Sequence, residues 1–136
     1  MAVKVPFASS LTFLDSTIAD QLEGAFLSLY QNNYTPIGGT VLADLVEADF
    51  PGYAPIELVG WPNAALNADF KASTQLPMQF FTCSGSATPN NIYGVYVVSA
   101  VGDLLYVERN PSAPIAMNTA GQLYGYLPRF TDRSEV

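Results

Sequence analysis

From Ala54 onward, turn-forming clusters recur at intervals of about 8–12 residues, and the segments between them are rich in Tyr, Val, Phe and Leu. Gly60-Trp61-Pro62, Gly102-Asp103 and Asn118-Thr119-Ala120-Gly121 are the clearest of these breaks. Segments this short suit strands better than helices, which need about three turns to be worth forming. The pattern predicts strands at 54–59, 69–73, 77–84, 92–100, 104–109, 114–117 and 122–131. The run at 92–100 is dominated by Tyr and Val with no polar alternation, as expected of a strand buried on both faces. Ten Pro and ten Gly fit a chain that must end strands and shape turns so often.

The N-terminal third is mixed. Asp15 or Ser16 can cap a helix, and Ile18, Leu22, Ala25 and Leu29 recur at three-to-four-residue intervals. Gly24 interrupts that pattern, and from Ala25 to Tyr30 the residues also alternate as a strand would, so a helix is expected at 16–23 and a strand at 24–31. Asn32 to Pro36 and Gly38-Gly39 make a turn, and a helical turn at 41–47 is closed by Pro51-Gly52. The fold class that follows is mainly β: a single-domain sandwich or jelly-roll-like barrel of about eight short strands with one or two short helices over 13–136, preceded by an N-terminal arm at 1–12.

Composition narrows the function. Charged residues make up 12% of the chain, where about 25% is usual, and histidine is absent, which removes His-based triads and zinc centres. The net charge of -7, with Lys4, Lys71, Arg109, Arg129 and Arg133 scattered, opposes a phosphate backbone, so no nucleic-acid partner is expected. No run approaches the roughly 20 apolar residues of a membrane-spanning helix, so no membrane partner is expected either. Pro6, Ser9 and Ser10 interrupt any secretory apolar segment, pointing to synthesis in a cytoplasm without that export route. Cys83 is the only cysteine and lies in an apolar run, as a small buried hydrophobe would. Few charges with many aromatics is the surface expected of an assembly subunit.

Candidate sites are sparse. Asp44, Glu47 and Asp49, with Glu57 following, are the densest acids, but they lack the calcium-loop pattern and read best as a solvated face. Gly38-Gly39-Thr40 lacks the lysine of a phosphate loop, and Asn33-Tyr34-Thr35 matches a glycosylation sequon that is expected to be a chance occurrence where no secretory segment is read. Trp61, with Tyr30, Tyr34 and Tyr53 near in sequence, serves either as a sugar-stacking platform or, more simply, as core and interface anchors. No catalytic residue, metal or cofactor is expected. The interface candidates are Val3, Val5 and Phe7 of the arm together with Tyr30, Tyr34, Tyr53 and Trp61.

Leu27 to Pro36 followed by Thr40 to Ala54 resembles a block of small accessory virion proteins of tailed bacteriophages, and Asn91 to Val98 and Pro128 to Thr131 are similar to that family's closing strands. The resemblance begins at about Leu27 and leaves the first 26 residues uncovered. It implies a non-enzymatic capsid cement or decoration protein. Such a subunit is β-rich and often trimeric, and binds across the joints between major capsid proteins on the outer surface of the head. Relatives of this kind also resemble tail and head-fibre proteins, which makes a receptor- or carbohydrate-binding module the alternative.

Overall fold

The computed structural model describes residues 14–16, 18–66, 72–86 and 90–131. The expected arm at 1–12, with Val3, Val5 and Phe7, lies outside the described residues.

The described residues form eleven short strands: β1 Ala25–Tyr30, β2 Ile56–Leu58, β3 Ala65–Leu66, β4 Ala72–Gln75, β5 Gln79–Thr82, β6 Asn91–Ile92, β7 Gly94–Val98, β8 Leu104–Arg109, β9 Ile115–Ala116, β10 Leu123–Tyr126 and β11 Arg129–Thr131. They form a four-stranded sheet ordered β2-β1-β7-β8, a three-stranded sheet β11-β4-β3, and the pairs β10-β5 and β6-β9. Every pairing is antiparallel.

The mainly β reading holds, with more and shorter strands than the eight expected. The run at 92–100 changes sheet at Tyr93, β6 pairing with β9 and β7 with β1. The run at 122–131 is divided at Leu127-Pro128, because proline has no N–H to continue a ladder; β10 pairs with β5 and β11 with β4. The two-residue β3 was not foreseen. Among the described residues no barrel closes: β8 and β10 both remain sheet edges.

The period of two in β1 sorts its side chains. Leu27 and Leu29 stand opposite Val97 and Val95 of β7 and face the main core, where Ala72, Phe81, Cys83 and Tyr124 from the other sheets meet them. Ser28 and Tyr30 point to the other side, where Tyr30, Tyr96 and Leu45 form a second, smaller apolar cluster. The central strand β7 is therefore covered on both faces, and Gly94 to Val97 are all buried. Each Leu or Val removed from water here stabilises the fold by about 1.5–3 kcal/mol.

The N-terminal helix begins earlier than expected, with residues 14–16 α-helical, and is wider in its last turn. Leu14, Ile18 and Leu22, four apart, are buried, but the turn Ile18–Leu22 is π-helical, with the Glu23 N–H donating to the Ile18 carbonyl at 3.0 Å. Gly24 ends it at φ +76, a left-handed conformation costly for any residue with a Cβ. The turn expected at 41–47 contracts to a single 3-10 turn, Leu42–Asp44, because the chain becomes extended at Leu45 and residues 46–48 pair with the end of β1, the Gln31 N–H donating to the Val46 carbonyl at 2.8 Å and the Ala48 N–H to the Leu29 carbonyl at 2.9 Å.

Candidate functional site

Strands β8 and β10, each at the edge of its own sheet, meet through their side chains. Among the described residues no backbone hydrogen bond joins them; side chains span the seam instead. The Tyr126 hydroxyl donates to Glu108 Oε2 at 2.7 Å, and Asn110 Nδ2 donates to the Tyr124 hydroxyl at 2.8 Å. The bonds run in opposite senses along the two segments, Glu108 to Tyr126 and Asn110, just past the end of β8, to Tyr124, so side chains and not a backbone ladder connect the two sheets here.

Both strands position these groups through their alternation. Val95 of β7 stands opposite Glu108 and Val97 opposite Tyr106, which puts Tyr106 and Glu108 on the core-facing side of β8. The register shifts between Val97 and Val98, leaving Leu105 as the extra residue of a bulge. The Tyr106 hydroxyl lies 2.9 Å from that of Tyr126. Since Tyr126 spends its proton on Glu108, Tyr106 is the donor, and the chain runs Tyr106 to Tyr126 to Glu108. Glu108 itself is exposed.

The phenols are held neutral. Burial pushes Tyr106 up to about 12. Burial, then Tyr106 and the Glu108 charge, raises Tyr126 well above the usual tyrosine value, and burial raises Tyr124 with Glu108 adding to it. The seam therefore presents neutral hydroxyls beside one carboxylate. A depression of about 130 Å³ opens there, walled by Glu108, Asn110, Pro111, Tyr124 and Tyr126, and an adjoining one of about 280 Å³ shares Glu108 and Tyr126 and reaches Arg129.

A second feature lies on the outer face of the β5–β10 pair. Phe81 and Tyr124 point into the core, so their neighbours point out: Met78 is 48% exposed, Phe80 57%, Leu123 59% and Leu127 38%. Phe80 stands opposite Gly125, and a Cβ on Gly125 would lie 3.1 Å from the Phe80 ring and 3.4 Å from Met78 Sδ. The ring thus rests over the glycine beside Met78 and is more than half exposed, part of an apolar face.

The residues singled out in the sequence sit elsewhere. Tyr30 is fully buried under Gly94 and donates to the Tyr34 carbonyl at 3.1 Å; Tyr34 is half-buried and bonded to Thr40 at 2.9 Å. Tyr53 packs on Phe50 and Phe81 and donates to Glu47 at 2.8 Å. Trp61 is 7% exposed, its Nε1 donates to the Leu22 carbonyl at 3.0 Å, and Phe130 covers its ring. The structure brings Tyr30 and Tyr34 into the same smaller cluster but puts Trp61 and Tyr53 in contact with the main core, so the four rings do not form one stacking surface. Asp44, Glu47 and Asp49 are likewise separated, bonded to Val41, Tyr53 and Asn90 respectively. Among the described residues no group of three or more acids or cysteines is placed to hold a metal, and no helix is long and apolar enough to cross a membrane. Cys83 is buried, as expected, with Sγ 3.0 Å from the Gly85 carbonyl.

The seam residues carried a legible signal that the sequence reading passed over: Tyr106, Glu108 and Asn110, like Tyr124 and Tyr126, alternate at a period of two, so each set shares one side of its strand. No protein-family model, curated protein or solved structure matches the chain.

Proposed function

We propose that this chain is a non-enzymatic structural subunit of a virion, a cement or decoration protein that binds across joints between the major capsid proteins of a tailed-phage head and acts as a homo-oligomer, with a trimer favoured. The observation that carries the proposal is the outward face of β5–β10, where Met78, Phe80, Leu123 and Leu127 are exposed together. Methionine and aromatic side chains are enriched at protein interfaces, and a patch of this kind on a monomer marks a contact site. A subunit that repeats such a face around a symmetric shell gains its hold from several contacts at once. The sparse charge and net charge of -7 agree with a position on a protein shell, away from packaged nucleic acid.

A cement protein works by burial and needs no chemical step. Heads assembled with and without the chain, challenged by heat and by chelator, test the reading. Loss of DNA retention only in heads that lack it is the expected outcome; equal resistance contradicts the proposal. The alternative module built on Trp61 is disfavoured by the burial of that ring.

A further inference from the structure

At the seam two polar groups line the opening with hydrogen-bonding capacity to spare. Glu108 uses Oε2 to accept from Tyr126, and Oε1 has no partner among the described residues. Tyr124 accepts from Asn110, and its own proton meets no acceptor among the described residues. An acceptor-only carboxylate oxygen and a phenolic donor thus line the same depression, with Pro111 giving it an apolar wall. Tyr106 and Tyr126 hold the carboxylate in place, so a ligand arriving there need not order it.

The chemistry of the walls excludes most occupants. An anion would meet the Glu108 charge on a chain that already carries -7. A metal ion needs several hard ligands, and Glu108 is the one carboxylate in the depression. An extended peptide adding to the β8 edge would meet the bulge at Leu105, Pro111 beyond the strand, and side-chain bonds already crossing the seam. A wholly apolar ligand would strand the carboxylate and the phenol without partners, a cost of about 1–3 kcal/mol for each neutral group and more for a charge. A neutral polyol satisfies both: one hydroxyl donates to Glu108 while another accepts from Tyr124, and the C–H face of a sugar ring packs on proline or tyrosine.

We propose that the seam between β8 and β10 is a saccharide-binding groove, in which Glu108 and Tyr124 engage neighbouring hydroxyls of one sugar residue and the adjoining depression toward Arg129 receives the next. The volumes of about 130 and 280 Å³ suit a short glycan rather than a large ligand. The assignment does not depend on capsid attachment, which uses the outward face of β5–β10, so either can fail alone.

Amide-resolved NMR titration of the full chain with four probes, methyl α-glucoside, methyl β-galactoside, methyl α-mannoside and methyl N-acetyl-β-glucosaminide, tests it. At least one should saturate, with a dissociation constant of about 1 mM or tighter, and shift the amides of Glu108, Asn110, Gly125 and Tyr126. Glu108→Gln keeps the shape of the side chain and its bond from Tyr126, and Tyr124→Phe removes only a hydroxyl. Each should weaken that probe by about tenfold or more, while Leu123→Ala on the outer face leaves it unchanged. The proposal is overturned if no probe moves the seam amides, or if the responding probe binds Glu108→Gln and Tyr124→Phe as tightly as the unaltered chain. Unchanged amide dispersion in the probe-free variants ensures that weakened binding is not unfolding.

Discussion

Tyr126 donates its hydroxyl to Glu108 at 2.7 Å across two strand edges that share no backbone hydrogen bond among the described residues. A sheet edge left open exposes unpaired N–H and C=O groups, which only a closed barrel removes and other β folds protect with bulges, charges or covering segments. Here the gap is spanned by phenol, carboxylate and amide. Tyr126→Phe removes both the bond to Glu108 and the acceptor for Tyr106. With Glu108 at the surface, the expected loss is modest, about 1 kcal/mol in urea denaturation, and Glu108→Gln should lose less because an amide oxygen can still accept.

Raised tyrosine values fix the sign of the alkaline response. Below pH 10 the phenols are protonated in both folded and unfolded chains, and their contribution is constant. Above it the unfolded chain releases protons near the ordinary value of 10.0, while folded Tyr106 holds its own to about 12. The unfolded state therefore gains as pH rises, and stability should fall between about pH 10 and 12. Denaturant midpoints measured across that window should decline less steeply in Tyr106→Phe than in the unaltered chain.

Gly94 and Gly39 make a matched pair of glycine tests. A Cβ on Gly94 would stand 2.7 Å from the ring of buried Tyr30 and against the backbone of Glu108, whereas one on Gly39 meets nothing within 4 Å. Gly94→Ala should cost about 1–3 kcal/mol or more, since neither the packed ring nor the ladder can give way. Gly39→Ala should stay within about 0.5 kcal/mol of the unaltered chain. Thermal or urea melts of the two variants read the contrast directly.

Phe80→Asp addresses the outward face. The side chain is more than half exposed and rests over Gly125, so its loss should leave the melting temperature within a few degrees. Attachment to capsid shells should drop by at least about tenfold, since placing a charge in the centre of an apolar contact removes the burial and adds an unpaired group.

Much of the fold was legible because turn chemistry is local. Gly102-Asp103, Pro51-Gly52 and the Asn118–Gly121 cluster each mark a real reversal, and the Leu104–Arg109 strand falls where expected. The division at Pro128 was written in the sequence as well, through its missing N–H. The switch of sheets at Tyr93 was not, because it depends on which distant strands, β1 and β9, compete for the run. The candidate site was harder to read for a similar reason. Trp61 and Tyr30 looked prominent as residue types, yet burial consumed both, and whether an aromatic faces core or solvent is a tertiary outcome. The alternations Tyr106-Glu108-Asn110 and Tyr124-Tyr126 placed each set on one side of a strand, but the facing of β8 and β10 across a seam arises only when the sheets pack.

The most direct test of the structural role is co-sedimentation of the purified chain with empty shells of its major capsid protein, with bound copies counted per shell. Saturable binding at a fixed ratio set by the shell's symmetry, abolished by Phe80→Asp and retained by Glu108→Gln, is the expected result. Failure to sediment with shells, or equal binding by Phe80→Asp, would contradict attachment through the β5–β10 face.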